Sequence, residues 1–565
     1  MIEKTNIENG LKRRLGLYPL NNIVIASMIG TGIFMTSGIL MNYLRNPFLM
    51  IVLWIIGGII ALSGALCYAE LGVAIPRAGA EYAFLSELFH PVLGFLSGWV
   101  LFFVGFSAPI AAIALGFSHY LMRIFPGLNT QVLLGGKLIA ILVILVFMAI
   151  HVLKIEFRTG VQNVLTLLPV AFIVCLILVG FTAGEGSWGH FSQGEGFQWN
   201  SNGLKAIGLS LMMIMFSFTG WNATTYIGSE VRDPKKNIPR SLLIGTGIVV
   251  LLYMGLNLLY IYAVPPKEMA ASFSIGELAI SSLFEGALED YFAIALPVFI
   301  SLALLASLSA SIILGSRVYY SMARDRLFFK FASHISPKSE SPSKSIIFQC
   351  IIASALVLFG TFEQILVYMG FSLGIFQILS VIGVFILRSQ NRSSFKLPGY
   401  PIFPVIYILF GSAIICVSIL QQPIEALVAV LTIGVGIPAY VYFKNFAHIN
   451  FFSMQGRLNR AGYIWNVGAI SVVLSIISYM FMPTRESGEI MNIVAVLFYL
   501  IIIIGGTIII AFQVVKRFHD LEKPGSHYWL LFIPIYGYFL AFILLFKKGT
   551  PGDNMYGPDP LARTS

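Results

Sequence analysis

The sequence predicts an all-α polytopic membrane protein, and three observations carry that prediction. Its 565 residues are 58% hydrophobic and 11% charged, with a mean hydropathy of +0.87; soluble domains hold about 25% charged residues, so water is not the main solvent. Apolar stretches recur along the chain, and the charged residues fall between them. Stretches such as residues 23–39, 48–69, 139–151 with their flanks, and 244–264 each suit a hydrocarbon core of about 30 Å. About twelve precede Lys444 and about three follow it. The polar stretch before Arg14 runs straight into a full-length span, so no cleavable signal is expected.

A net charge of +10 would suit nucleic acid if it were clustered, but it is dispersed among loops, the pattern that orients a membrane protein. Of the 26 Lys and Arg up to Lys444, alternation from a cytoplasmic Lys12, Arg13 and Arg14 leaves five outside: Arg45, Arg123, Lys137, Lys205 and Lys267. Twelve spans with both ends cytoplasmic are self-consistent, and membrane lipids rather than nucleic acid are the expected surroundings. Cys67, Cys175, Cys350 and Cys416 lie in apolar runs without CxxC spacing and read as packed small hydrophobes. Nothing in the sequence sets an oligomeric state or points to a disulfide-linked partner.

Span 1 carries Ala26-Ser27-Met28-Ile29-Gly30-Thr31-Gly32-Ile33-Phe34, and span 6 carries Phe216-Ser217-Phe218-Thr219-Gly220-Trp221-Asn222. Matched glycine interruptions five spans apart suggest an inverted repeat with its binding site at the midplane; close helix packing is the bland alternative. An unwound segment offers what a zwitterion needs in hydrocarbon. Free N–H groups at Gly30, Thr31 and Gly32 suit a carboxylate, and carbonyls at Met28, Ile29, Phe216 and Ser217 suit an ammonium. No charged side chain or cofactor is then required.

Further motifs join these: Leu11-Lys12-Arg13-Arg14-Leu15-Gly16-Leu17, Tyr68-Ala69-Glu70-Leu71-Gly72, Ile75-Pro76-Arg77-Ala78-Gly79-Ala80-Glu81-Tyr82, Asp233-Pro234-Lys235-Lys236-Asn237-Ile238-Pro239-Arg240-Ser241, and Gly315-Ser316-Arg317 with Met322-Ala323-Arg324-Asp325. In this order they resemble the amino acid–polyamine–organocation (APC) transporters, within them the L-type amino acid transporter-like permeases. The resemblance implies a LeuT-like 5+5 inverted-repeat fold with 12 transmembrane helices, working by alternating access. It implies that Gly30, Thr31 and Gly32 hold the substrate carboxylate, that Met28, Ile29, Phe216 and Ser217 meet its ammonium, that Thr219, Gly220 and Asn222 line the pocket, and that Phe216 is an aromatic gate. Glu70, Arg77, Glu81, Glu230 and Arg317 read as gate or packing ion pairs.

One departure stands out. After Val161-Gln162-Asn163-Val164-Leu165-Thr166-Leu167-Leu168, where relatives often have lysine, this chain has Pro169, which cannot titrate. No Asp, Glu, Lys or Arg lies well inside spans 1 to 10, so no intramembrane proton carrier is expected. Ser307 and Ser311, four apart on one helix face, could hold a coupling Na⁺ with span 1 carbonyls; helix packing is the plainer role, and exchange without an ion fits equally.

Residues 1–14 read as a cytoplasmic tail, 15–443 as the transporter-like domain, 444–455 as a linker and 456–565 as a small membrane domain with spans near 463–482, 490–513 and 528–546. Its Gly456-Arg457-Leu458-Asn459-Arg460, Lys516-Arg517-Phe518-His519-Asp520-Leu521, Ile533-Pro534 and the run from Gly549 to Pro560 resemble domain of unknown function 805, a bacterial inner-membrane domain. His519 beside Asp520, with Lys516 and Arg517, reads as an interfacial ion cluster at lipid head groups. Three spans would leave Lys547 and Lys548 outside; a re-entrant segment around Pro534 and Gly537 avoids that. Paired carboxylates and nucleophile–base sets are missing, so no enzyme is expected. The expectation is a secondary transporter of neutral amino acids in a bacterial plasma membrane, with a substrate sensor signalling through the C-terminal block as the alternative.

Overall fold

Inside a bilayer no water satisfies a main-chain N–H or C=O, so an apolar chain must form helices. The computed structural model describes residues 10–30, 32–125, 133–153, 155–272, 274–359, 362–421, 423–446, 453–480 and 489–561. It separates into two compact units, residues 1–440 and 441–565.

The first unit begins with a broken span, α1 (Leu17–Met28) and α2 (Gly32–Leu44), bent by 40°. Helix α3 (Pro47–Ala74) starts at a proline, whose missing N–H costs nothing at that position, and its Asn46 cap accepts from the Leu49 N–H at 2.9 Å. A short α4 (Glu81–Leu88) precedes α5 (Pro91–Val100), which continues through a π-helical stretch (Leu101–Ser107) into α6 (Ala108–Ile124). Helices α7 (Leu133–Val152) and α8 (Ile155–Ala183) follow, then a second interrupted span, α9 (Ser201–Ser217) and α10 (Ala223–Tyr226). After α11 (Pro234–Ala263) come the short α12 (Pro266–Ala271) and α13 (Ile275–Leu283), the 38-residue α14 (Ala287–Arg324), and α15 (Ser343–Phe359), α16 (Phe362–Ser389), α17 (Ile402–Gln421) and α18 (Pro423–Phe446). Seven of these are long and apolar enough to cross a membrane, eight with α1 and α2 as one bent span; shorter apolar helices stand at 343–358, 374–389 and 429–444. Helix α11 packs on α1 and α3, and α14 on α1, α6 and α8.

At the end of this unit rich in Arg and Lys, buried acids meet cations. Glu70 accepts from Arg388 at 2.7 and 2.8 Å and from the Leu397 N–H at 3.0 Å. Glu230 accepts from Arg317 at 2.8 Å, with both side chains essentially inaccessible. Arg77 pairs with Asp325 at 2.6 Å. The ion-pair reading therefore holds for Glu70, Arg77, Glu230 and Arg317 but not for Glu81, whose partners are uncharged. The same end is closed by main chain: the Arg14 and Leu15 N–H groups donate to the Glu230 carbonyl, Arg232 N–H to Leu15, and Gly79 N–H to Tyr226. Cys67 and Cys350 are packed inside, as expected, whereas Cys175 and Cys416 are exposed, on an outer surface where a small apolar side chain suits lipid equally well.

The second unit holds α19 (Arg460–Met480), α20 (Glu489–Asp520), a 3₁₀ turn (Gly525–Phe532) and α21 (Tyr536–Phe546). The last of the three expected spans is not one continuous helix. Eleven residues rise about 16 Å, half a hydrocarbon core, so the last apolar run is broken near Pro534, where the re-entrant alternative put its turn. The ionic cluster is also corrected: Asp520 accepts from Arg457 at 3.1 Å and from Arg517 at 2.5 Å, whereas His519 stacks on Tyr556 at 4.1 Å and turns Nδ1 to the Gly456 carbonyl. Arg457 also donates to the carbonyls of Thr550 and Gly552, tying the final loop down.

Removing one partner of a buried ion pair strands the other's charge, at a cost of about 3–5 kcal/mol. Arg317→Met should therefore lower the melting temperature of detergent-solubilised protein sharply, and adding Glu230→Gln should recover much of the loss. A single mutant melting like the wild type would show that the pair contributes nothing.

Candidate functional site

Helix α1 ends because Ile29 turns extended, φ −78° and ψ 112°, while its N–H still caps the Ile25 carbonyl. Helix α9 ends at Ser217, and Phe218 to Asn222 lead into α10 through Gly220, whose φ of +106° suits glycine. The two interruptions face each other. A Cβ on Gly220 would lie 2.5 Å from the Ser27 carbonyl oxygen, and one on Gly32 would lie 2.8 Å from Ser217 Oγ. Glycine is needed at both positions for this approach.

Tyr253 of α11 joins the interruptions. Its hydroxyl donates to the Met28 carbonyl at 2.7 Å and lies 3.3 Å from the Ser217 carbonyl, with its ring wedged against Trp54 and Phe218. The carbonyls expected to meet a ligand ammonium are thus partly engaged: Phe216 also accepts, from the Thr219 N–H at 3.0 Å. A carbonyl has a second lone pair, so each can still receive a ligand.

Between the interruptions lies a cavity of about 150 Å³. Met28, Gly30, Gly32, Phe216, Ser217, Thr219, Gly220 and Asn222 all line it, as do Ser307 and Ser311 of α14. A Cβ at Gly30 would meet nothing within 4 Å, so that glycine borders open space. Ile29 does not line the cavity; it is buried behind it. Thr31 lies outside the described residues. Of the two phenylalanines in the span 6 motif, Phe216 faces the cavity while Phe218 is in the core.

The remaining walls were invisible in the sequence. Leu101, Gly105, Phe106 and Pro109 come from the π-helical stretch and its exit, Leu304 and Leu314 from α14, Tyr226 from α10 and Gln377 from α16. A glycine–proline pair within span 3, and one amide in an apolar span 10, were the available signals; π-turns are common at functional sites. Asn222 donates to Glu81 Oε1 at 2.8 Å and lies 3.4 Å from the Tyr226 hydroxyl. Beside Pro169's helix, Ala26, Ala306 and Ala310 pack together with Leu165, and Ser309 turns away to His151 at 3.0 Å. Polar side chains share that junction: the Gln162 amide donates to the Ala306 carbonyl at 3.2 Å, and Asn22 to Asn163 at 2.8 Å.

Residues 15–438 match a family model described as amino acid permease, and residues 451–558 match one described as a protein of unknown function (DUF805). The chain is 29% identical over 450 residues to the large neutral amino acids transporter small subunit 2 of Mus musculus, covering 77% of this chain and 82% of that protein. It is 26% identical over 436 residues to the Asc-type amino acid transporter 1 of the same species, covering 76% and 81%, and 27% identical over 440 residues to its b(0,+)-type amino acid transporter 1, covering 77% and 89%.

The geometry separates three substitutions by thermal stability. Gly220→Ala combines a positive φ with a backbone clash and should cost more than about 2 kcal/mol. Tyr253→Phe, which leaves a buried carbonyl without its donor, should cost about 1–3 kcal/mol. Gly30→Ala should stay within about 0.5 kcal/mol, since its Cβ enters the cavity; a Gly30→Ala protein as unstable as Gly220→Ala would contradict the facing of the two interruptions.

Proposed function

The chain belongs to the amino acid permease family, and on that premise we propose that it carries neutral amino acids across a bacterial plasma membrane by alternating access, with its N-terminus cytoplasmic. Amino acid transport is the activity common to the names of its relatives. The observation that carries the finer reading is the cavity between two facing helix interruptions, bordered by main chain at Gly30 and Gly32 and by the Met28 end of α1.

Those surfaces read the shared core of an α-amino acid. The N–H groups opening α2 favour a carboxylate, and the carbonyls ending α1 and α9 accept from an ammonium. Among the described residues lining the cavity none is charged. A second positive charge on the substrate would be buried unpaired, which supports a neutral side chain. Phe216, half-buried on the cavity wall, is positioned to cover the substrate as a gate. No bond in the substrate is made or broken. The bacterial location is supported by the C-terminal resemblance, and the orientation by the excess of Lys and Arg at one end.

A Na⁺ held by Ser307, Ser311 and α1 carbonyls is a second reading, favoured because both hydroxyls border the same cavity as Met28. Uptake that proceeds without Na⁺ removes it.

The test is uptake of a labelled neutral amino acid into proteoliposomes, with and without amino acid inside. Gly30→Val fills the space where the carboxylate meets main chain; losing two hydrogen bonds of about 1 kcal/mol each should lower uptake at least about tenfold. Thr219→Val, on the exposed rim, should hurt less. Binding without flux in the wild type would move the chain to a sensor.

A further inference from the structure

Three acids of the first unit, Glu70, Glu81 and Glu230, are buried at its Arg- and Lys-rich end, each no more than 2% exposed. Arg388 neutralises Glu70 and Arg317 neutralises Glu230. Among the described residues Glu81 has no such partner. Its Oε1 accepts from the Tyr68 hydroxyl and the Asn222 amide, both at 2.8 Å, and its Oε2 is buried without any hydrogen-bond partner.

Among the described residues, the elements around it supply no cation. Tyr68 of α3, Tyr226 of α10 and Tyr407 of α17 face it with phenols. Arg388 of α16 is committed to Glu70, Arg317 of α14 to Glu230, Arg77 of the preceding loop to Asp325 and Arg392 to Glu87. Helix α5 brings only His90, at its N-cap. An ionised carboxylate in such a place lacks a countercharge, so burial favours the neutral acid over the pull of its hydrogen-bond donors. Burial, the largest influence, holds the Glu81 carboxyl above its ordinary value.

We propose that Glu81 is a proton-binding site linked through Asn222 to the substrate cavity, so that a proton enters with each amino acid and leaves at the cytoplasmic end. The inference rests on the transport reading above and adds the coupling ion. One end of the link is the substrate site, because Asn222 both lines the cavity and hydrogen-bonds Glu81. The other end is the closure. Gly79, two residues before Glu81, donates to the Tyr226 carbonyl at 3.0 Å, and Tyr82, the next residue, donates to the half-exposed Asp325 at 2.8 Å.

Releasing substrate inward requires these contacts to part, and water then reaches Glu81. Hydration stabilises the carboxylate and the proton dissociates to the cytoplasm; once that end has reclosed, the next proton reaches Glu81 from the outer side through the substrate cavity that Asn222 borders. A proton affinity that differs between two states is, by linkage, coupling between proton and substrate movement. On this proposal no titrating group in place of Pro169 is needed.

The experiment follows lumenal pH with a trapped dye while labelled neutral amino acid enters proteoliposomes. The wild type should acidify the lumen in step with substrate, and external acid should raise uptake. Glu81→Gln, which keeps an oxygen for Asn222 but cannot titrate, should show no acidification per substrate moved and no pH dependence. Glu81→Asp, which still titrates, should keep the coupling with a shifted pH midpoint. Substrate flux without acidification in the wild type, or equal acidification per substrate in Glu81→Gln, overturns the proposal. No substrate flux in the wild type overturns the transport reading itself, and the proposal with it.

Discussion

The hydroxyl of Tyr253 and the two carbonyls beneath it are the contact on which the first unit turns. A helix interrupted inside a bilayer exposes main-chain groups that nothing outside the protein can satisfy. Here one phenol addresses the last carbonyls of both interrupted spans, Met28 and Ser217, and two aromatic rings, Trp54 and Phe218, hold it in place. Gly220 and Gly32 let the interruptions approach closely enough for one hydroxyl to serve both. The Met28 end of α1 and the glycines at 30 and 32 border the cavity between them.

Charge is handled by a different device. Glu70 and Glu230 are brought inside as hydrogen-bonded pairs with arginine, whose planar fork matches a carboxylate. Such pairs are weak contributors to net stability, yet costly to break singly. They suit an end of the molecule that must be closed in one state and open in another. Glu81, in the same neighbourhood, is met by phenols and an amide in place of an arginine. The second unit uses the paired device too: Asp520 sits between Arg457 and Arg517, and Arg457 reaches on to carbonyls of the closing loop. That arrangement organises the chain end and leaves His519 to stack on Tyr556.

Much of this was legible in the chain itself. Hydropathy and the spacing of charges determined that the protein is helical and crosses a membrane repeatedly, because the bilayer permits little else. The Gly30–Gly32 and Gly220–Asn222 motifs determined where helices would stop, since each names backbone conformations and close approaches. Eight of the ten substrate-site residues inferred from them line one cavity. Ile29, adjacent in sequence, is buried and does not line it. Only the tertiary structure decided the rest. Tyr253 and the π-helical residues near Gly105 meet the interruptions across long sequence separations that no local pattern encodes. The partners of the buried acids were equally hidden: Glu70, Glu81 and Glu230 look alike as letters at span edges, and what distinguishes them is which side chain from a distant helix arrives beside each, an arginine for two and an asparagine for the third.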